Sequence, residues 1–187
     1  MKDKGEDSMK KVMFNDKYGL TQAVLDGRKT MTRRIVPERY LGEFPNEVDL
    51  CEAIYNGHAF MKGEVVAVAQ AYKDILSPDS WSNDAGFANK MFVKANLMPH
   101  KIRITSVRVE RLQDISDEDC LREGIMRKWI EAGSLYHYYL PGVPVNNKHD
   151  IYSTPIDAFA ALIDKISGKG TWYKNPFVFV YEFELVK

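Results

Sequence analysis

Apolar residues at every second position predict the strands of this 187-residue chain. Residues 65–72 are largely apolar on both faces, which predicts a central strand. Residues 101–112 and 177–186 alternate over a greater length, and shorter apolar runs at 12–14 and 91–93 predict two further strands. The alternation in 101–112 slips at Thr105 and Ser106, as a β-bulge would produce. Because bulges are common in strongly curved sheets, these patterns favour a barrel over a flat sheet.

Apolar positions at helical spacing predict helices between these strands. The predicted helical stretches are 18–25, ended by Gly27; 49–55; 116–123, opened by Ser116 and Asp119 in a capping-box-like start; 126–132; and 154–168. The last is the clearest, because Pro155 lies in its first turn and Gly168 ends it. Its apolar face consists of Phe159, Leu162, Ile163 and Ile166. Strands and helices together predict an α+β fold.

The remaining segments define the expected domain organisation. Residues 1–11 are nearly all polar and predict a flexible N-terminal tail, and 12–187 predict a single domain. Two insertions are expected, at about 38–59 and 126–170. Residues 136–150 are rich in aromatic residues and proline, which favours an irregular segment.

Composition and charge exclude several classes of protein. The chain has 26 basic and 26 acidic side chains, so it has no net field to attract polyanions and any anion site must be local. Cys51 and Cys120 are isolated, which argues against zinc and against a disulfide framework and favours a reducing cytoplasm. No apolar stretch approaches the roughly 20 residues of a membrane-spanning helix. We expect no membrane insertion, no metal and no other cofactor.

Residues 27–34, with the sequence GRKTMTRR, are the strongest candidate for a functional element. They include four cations and two hydroxyls: Arg28, Lys29, Arg33, Arg34, Thr30 and Thr32. A solvated basic turn is the simplest interpretation. Flanking Leu25 and Ile35, however, predict an ordered connection, and alternation would place Thr30, Thr32 and Arg34 on one side as a polar stripe. We therefore predict that Gly27, Arg28, Thr30, Arg33 and Arg34 bind a polar or anionic ligand.

This motif, with Gly63 and Glu64 at a strand start, resembles the ASCH domain of the PUA-like superfamily. Its signature reads G-x-K-x-x-E-x-R; this chain has Gly27, Lys29 and Arg34 in register but Thr32 in place of Glu. In this departure the chain is similar to a bacterial branch of the family whose motif reads G-R-K-T-x-T-x-R. Members of that branch are small amidohydrolases that remove the acetyl group from N4-acetylcytidine. The resemblance implies a PUA-like mixed β-barrel with flanking and inserted helices.

By the same resemblance Lys29, Thr32 and Glu123 are the catalytic residues, Glu123 lying in ISDEDCLREG. The resemblance covers roughly 12–36, 61–74, 101–124 and 177–187. The C-terminal GTWYKNPFVFVYEFEL is similar to longer ASCH proteins of bacteria and their phages. In it, Trp172 and Asn175 are candidates to stack on a base and read its edge, or alternatively to cover one end of the barrel.

Three functions remain open on the sequence alone. The leading one is binding of RNA or a modified nucleoside, with hydrolysis of an acyl-amide on an N4-acetylcytidine-like pyrimidine as the candidate activity. In that case Lys29 would help remove the proton of Thr32, and the Thr32 oxygen would attack the carbonyl. Glu123 would act as general acid or base toward the leaving amine. The alternative is a non-catalytic module of bacterial or phage origin that binds RNA or a protein. A nuclease is the weakest candidate, because no carboxylate cluster suits a metal.

Overall fold

The computed structural model describes residues 9–42, 46–47, 50–52, 59–77 and 79–186 and shows a mixed α+β fold, as predicted. Its strands are β1 (Lys11–Val12), β2 (Met31–Ile35), β3 (Val65–Val68), β4 (Lys101–Arg111), β5 (Met126–Ile130), β6 (Leu135–Tyr139) and β7 (Phe177–Val186). Its helices are α1 (Leu20–Leu25), α2 (Glu38–Leu41), α3 (Tyr72–Ile75), α4 (Asp117–Arg122), α5 (Pro155–Ser167) and α6 (Thr171–Lys174). Short 3₁₀ helices lie at Asp16–Tyr18, Ala95–Leu97, Leu112–Asp114, Glu131–Gly133 and Lys148–Asp150.

The main sheet has five strands in the order β1-β3-β4-β7-β2. The β1–β3 pair is parallel and the other three pairs are antiparallel. The long strands β4 and β7 form the centre. The described strands do not close into a barrel, because no pairing among them joins the edge strands β1 and β2.

The predicted bulge in β4 is confirmed. The register of β4 against β7 shifts between Ile104 and Ser106, so Ile104 pairs with Phe183 and Ser106 with Glu182. Opposite residues of an antiparallel pair share a face. Beyond the shift, Val107 and Val109 therefore lie on the same face as Ile104, and Arg108 and Glu110 lie on the other face.

Three local predictions were wrong. Residues 126–132 do not form a helix: β5 pairs with β6 as a two-stranded hairpin, which also orders part of the segment expected to be irregular. Residues 91–93 form a turn in which the Phe92 amide donates to the Asn89 carbonyl, instead of a strand. The strand expected over 65–72 ends at Val68, and α3 follows at Tyr72. Short apolar runs do not distinguish helix from strand, and tertiary contacts decided these segments.

Two other predictions fall partly outside the described residues. The short helix expected over 49–55 is helical at residues 50–52, and 49 and 53–55 lie outside the described part. Of the expected tail, residues 1–8 lie outside it as well, and Lys11 already pairs in β1. Among the described residues, no helix combines the length and apolar character that crossing a bilayer requires.

Helix α5 packs its apolar face against the sheet and supplies Phe159, Leu162 and Ile163 to the core. The Thr154 hydroxyl accepts a hydrogen bond from the Asp157 amide and so caps the helix, as its sequence predicts. Trp172, in the short helix that follows, packs edge-on against Phe159 in the first half of α5, with ring centroids 6.2 Å apart. The helix thereby becomes a fixed wall beside the β2 edge of the sheet.

Gly142 allows the segment after β6 to approach the start of α1. Its φ is +69°, and a Cβ there would lie 2.8 Å from the Gly19 nitrogen and the Tyr18 carbonyl carbon. We expect Gly142→Ala to lower the free energy of unfolding by about 1–3 kcal/mol more than Gly170→Ala, measured in urea. Gly170 is the matched control, because its φ is +86° and, apart from its two chain neighbours, no described residue has an atom within 4 Å of the position that a Cβ would take there. Equal losses would contradict a steric role for this contact.

Candidate functional site

Backbone hydrogen bonds fix GRKTMTRR between α1, α4 and β7. The Lys29 amide donates to the Ala23 carbonyl at the end of α1, and the Thr30 amide donates to the Arg122 carbonyl at the end of α4. The Thr30 carbonyl accepts from the Phe183 amide. Gly27 makes the preceding turn with a φ of +72°, a conformation that glycine adopts without strain. The motif is thus an ordered connection, not a solvated turn.

The motif opens on a cavity of about 250 Å³ at the β2 edge of the sheet. Its polar wall is mainly Lys29, Thr32, Arg33, Arg34 and Glu123, with Asn15 and Ser167 also lining it. Its apolar wall is mainly the face of α5, with Phe159, Leu162, Ile163 and Ile166, together with Phe14 and Leu20. The three residues that the resemblance names as catalytic therefore line one cavity.

Lys29 and Glu123 form a buried ion pair at the base of this cavity. Lys29 Nζ donates to Glu123 Oε2 at 2.6 Å and to the Glu123 backbone carbonyl at 2.7 Å. Their side chains are 2% and 6% exposed. Burial lowers the pKa of Lys29 despite the opposing attraction of Glu123, and the nearby Arg34 and Arg33 lower it further. The amine therefore gives up its proton more readily than an ordinary lysine.

Arg33 connects this pair to a wider charge network. Its guanidinium lies 3.3 Å from Glu123 Oε1, 2.6 Å from Glu110 Oε1 and 2.9 Å from Asp119 Oδ2. The carboxylates of Glu110 and Asp119 also bind Arg108, at 2.9 and 3.1 Å. Glu182 completes the network by contacting Arg108 at 2.7 Å and Arg122 at 2.8 Å. The Glu123 carboxylate is thereby held from two sides.

The charges of this network balance. Its cations are Lys29, Arg33, Arg108 and Arg122, and its carboxylates are Glu110, Asp119, Glu123 and Glu182. Arg34 stands outside it: its guanidinium donates to the Met13 carbonyl and lies 5.7 Å from the centre of the Phe14 ring. No carboxylate of the described residues forms a salt bridge with it. Burial lowers the pKa of Arg34, and the cavity carries one cation without a counter-ion among those residues.

Thr32 carries the buried hydroxyl of the cavity; the other hydroxyl residue in the described lining, Ser167, is exposed. It is buried on β2 opposite Tyr181, and within the described part of the chain its hydroxyl has no hydrogen-bond partner. The buried thiol of Cys120 lies near the same charges, but burial raises its pKa to about 12 and leaves it protonated at neutral pH. Among the described residues, Thr32 is therefore the buried hydroxyl placed to act as a nucleophile in the cavity.

The other predicted ligand-binding residues do not line the cavity. The Arg28 guanidinium lies 3.0 Å from Asp26 at the surface, and the Thr30 hydroxyl accepts from Arg122 at 3.4 Å. Asn175 Oδ1 accepts from the Gln113 amide at 2.8 Å, and Trp172 covers Phe159. Trp172 and Asn175 thus join α6 to α5 and to the segment after β4.

Sequence reasoning missed Glu110, Asp119 and the α5 wall as parts of the site. Asp119 was recognised only as a capping residue, and the apolar face of α5 only as core. A signal for Glu110 exists in the sequence: after the slip at Thr105 and Ser106, charged residues occupy alternate positions of an otherwise apolar strand. The described residues hold no group of three or more His, Cys, Asp or Glu side chains placed to bind a metal.

No protein-family model, curated protein or solved structure matches this chain. The likeness to ASCH domains therefore stands on the motif and its neighbouring residues alone. The geometry of the cavity is accordingly the basis for assigning a function.

We expect Glu123→Gln to lower the free energy of unfolding by about 3–5 kcal/mol, because it leaves the Lys29 cation buried without its carboxylate, while Arg33 keeps Glu110 and Asp119. Urea unfolding measures the loss. Adding Lys29→Met should give a double variant less destabilised than the sum of the two single changes. Arg28→Gln is the control: it breaks an exposed pair and should leave unfolding nearly unchanged. Additive losses would contradict the coupling between Lys29 and Glu123.

Proposed function

We propose that the protein hydrolyses an acyl-amide on a modified pyrimidine of the N4-acetylcytidine type. One observation carries this proposal: the buried Lys29–Glu123 pair and the unpartnered hydroxyl of Thr32 line the same cavity. A hydroxyl is a poor nucleophile until a base removes its proton. A lysine whose pKa is lowered by burial is suited to that task at moderate pH.

The size and walls of the cavity support a small planar substrate. Its volume of about 250 Å³ lies slightly below the roughly 300–1,000 Å³ typical of sites for drug-sized ligands. This is room for one base with its acyl group, whereas a stacked polymer would have to remain outside. Phe159 and Leu162 offer an apolar surface to a ring, and the opposite wall offers charges to its polar edge.

In the proposed reaction, the neutral amine of Lys29 takes the proton of Thr32 as the Thr32 oxygen bonds to the acyl carbon. The carbonyl becomes an oxyanion, and its collapse breaks the C–N bond. The departing amine receives the proton from Lys29 through Glu123, which is hydrogen-bonded to Nζ at 2.6 Å. Water then attacks the acyl ester of Thr32 and loses a proton to the pair; that proton returns to Thr32 as the carboxylic acid leaves.

Arg34 is the group best suited to stabilise the oxyanion. It lines the cavity from the same face of β2 as Thr32, and its charge is not neutralised by a carboxylate of the described residues. A positive charge already in place, in a site shielded from water, stabilises negative charge that develops in the transition state. The neutral network beside it would leave this one cation to attract the substrate.

Kinship with the ASCH domain and a PUA-like barrel architecture form part of the proposal. They are supported by GRKTMTRR beside a buried glutamate at the end of α4, and by the bulged strand β4. A cytoplasmic location is also proposed, since Cys51 and Cys120 are free thiols.

We expect purified protein to convert N4-acetylcytidine to cytidine. Chromatography of the reaction mixture over time measures the cytidine released. Thr32→Val, which removes only the hydroxyl, should lower kcat by about 10³-fold or more, whereas Thr32→Ser should retain measurable turnover. Thr105→Val is the matched control, because Thr105 is exposed on β4 away from the cavity. Turnover by Thr32→Val at the wild-type rate would remove Thr32 from the mechanism.

The rate should rise with pH through the lowered pKa of Lys29 and then level, because only the neutral amine accepts the proton of Thr32. The rise should be centred below the ordinary lysine value of about 10.5. Lys29→Arg should abolish the activity and with it the rise in rate with pH, since a guanidinium stays protonated and cannot accept the proton of Thr32. Measuring kcat as a function of pH tests the rise. A kcat that falls as pH increases toward about 10.5 would contradict a neutral Lys29 as the base.

A non-catalytic module that binds RNA or a protein is the second candidate. The observation in its favour is that Lys29 and Glu123 already satisfy each other's charges, as a purely structural pair would. Absence of cytidine release from both free N4-acetylcytidine and acetylated RNA would favour this candidate over the hydrolase.

A further inference from the structure

The hairpin of β5 and β6 carries an aromatic surface that the proposed hydrolysis does not use. Trp129 lies directly opposite Tyr136, with ring centroids 5.0 Å apart and planes at 68°. The Arg127 guanidinium lies 5.1 Å from the centre of the Tyr136 ring. Trp129 is 47% and Tyr136 42% exposed. These three side chains, on one face of the hairpin, are called the hairpin platform.

Arg127 brings a cation to the platform without a neutralising partner among the described residues. Arg127 and the adjacent Lys128 are exposed, and neither forms a salt bridge with any described residue. Because neighbouring residues of a strand point to opposite faces, Lys128 lies with His137 on the other face of the hairpin. The only acidic residue between 126 and 139 is Glu131, which lies in the 3₁₀ turn at the far end of the hairpin. The platform therefore combines half-exposed ring faces with positive charge available to anions.

The platform is anchored beside the cavity. β5 begins three residues after Glu123, with Gly124 and Ile125 buried between them. On the other strand, Tyr138 exchanges two backbone hydrogen bonds with Tyr152, at 3.0 and 2.8 Å, and both side chains pack against the main core. β6 also lies against α5, the apolar wall of the cavity. Six extended residues place Trp129 within about 20 Å of Glu123.

We propose that the hairpin platform binds a single-stranded polynucleotide, stacking a base on Trp129 and contacting a phosphate through Arg127. Stacking on aromatic side chains and contact with basic groups are the two interactions by which proteins hold single strands. A duplex would not suffice, because its base faces are already stacked on one another. The inference rests on the proposed function only in placing a modified base of that strand in the nearby cavity.

Binding is tested on unmodified, fluorescein-labelled oligocytidine and oligodeoxycytidine at low salt, by fluorescence anisotropy with the full chain. Trp129→Ala should weaken binding by about 5- to 100-fold, the loss typical of one stacked base. Trp129→Phe should lose less, since it keeps a ring opposite Tyr136 and controls for the integrity of the hairpin. Trp81→Ala is the matched control, because Trp81 is 75% exposed outside the hairpin.

The role of Arg127 is tested by salt. One phosphate contact predicts a slope of about −0.7 for the logarithm of the association constant against the logarithm of salt concentration. Arg127→Gln should bring the slope close to zero, and Lys128→Gln, on the opposite face of the hairpin, should leave it unchanged. Tighter binding of the ribose polymer would assign the natural strand as RNA, and equal binding would assign recognition to bases and phosphates, both in support of the platform.

The proposal is overturned if neither polymer binds, if Trp81→Ala weakens binding as much as Trp129→Ala, or if Arg127→Gln keeps the wild-type slope. Because the oligonucleotides carry no acetyl group, these outcomes do not depend on hydrolysis. Failure of the hydrolase proposal would instead show as absence of cytidine release from N4-acetylcytidine, an assay that needs no polymer. The two proposals can therefore fail separately.

Discussion

The hydrogen-bonded pair of Lys29 and Glu123 is the interaction on which the site depends. Two opposite charges withdrawn from water are costly unless each is well satisfied, and here the glutamate is held by Lys29 on one oxygen and Arg33 on the other. This arrangement joins three pieces of chain that are distant in sequence or separated by a turn: the end of α1, the end of α4 and the edge strand β2. The cavity exists because these pieces meet there and α5 covers them.

The network behind Glu123 gives the site rigidity and a definite charge. Four cations and four carboxylates neutralise one another across β2, β4, β7 and α4, so each has a partner and little freedom to reorient. Within the described wall of the cavity, Arg34 is the cation that no carboxylate neutralises. A chain with no net charge can in this way present a local positive potential, which agrees with the expectation that any anion site would be local.

The sequence predicted the parts of this molecule in which local pattern and tertiary contact agree. The long strands β4 and β7, the bulge at Thr105 and Ser106, the capped start of α5 and the motif around Lys29 all follow from periodicity, caps and residue chemistry. The hairpin of β5 and β6 was missed because Met126 to Ile130 has no decisive period, and its strand form depends on pairing with residues five or more positions away. The ion pair of Asp119 with Arg33 could not be predicted, because it depends on how α4 packs beside the edge strand β2 in the folded protein.

The bulge in β4 matters to the site as well as to the sheet, because it sets which side chains of the strand lie on the face of Arg33. Before the extra residue, even-numbered positions such as Ile104 face the core together with Phe183; after it, even-numbered Arg108 and Glu110 face the side from which Arg33 reaches them. If Thr105 instead paired with Glu182 and alternation continued without a bulge, Arg108 would lie opposite Phe179 and Glu110 opposite Phe177, and the two valines would turn to the other face. The single unpaired residue therefore directs both charges of β4 toward Arg33 and away from the core.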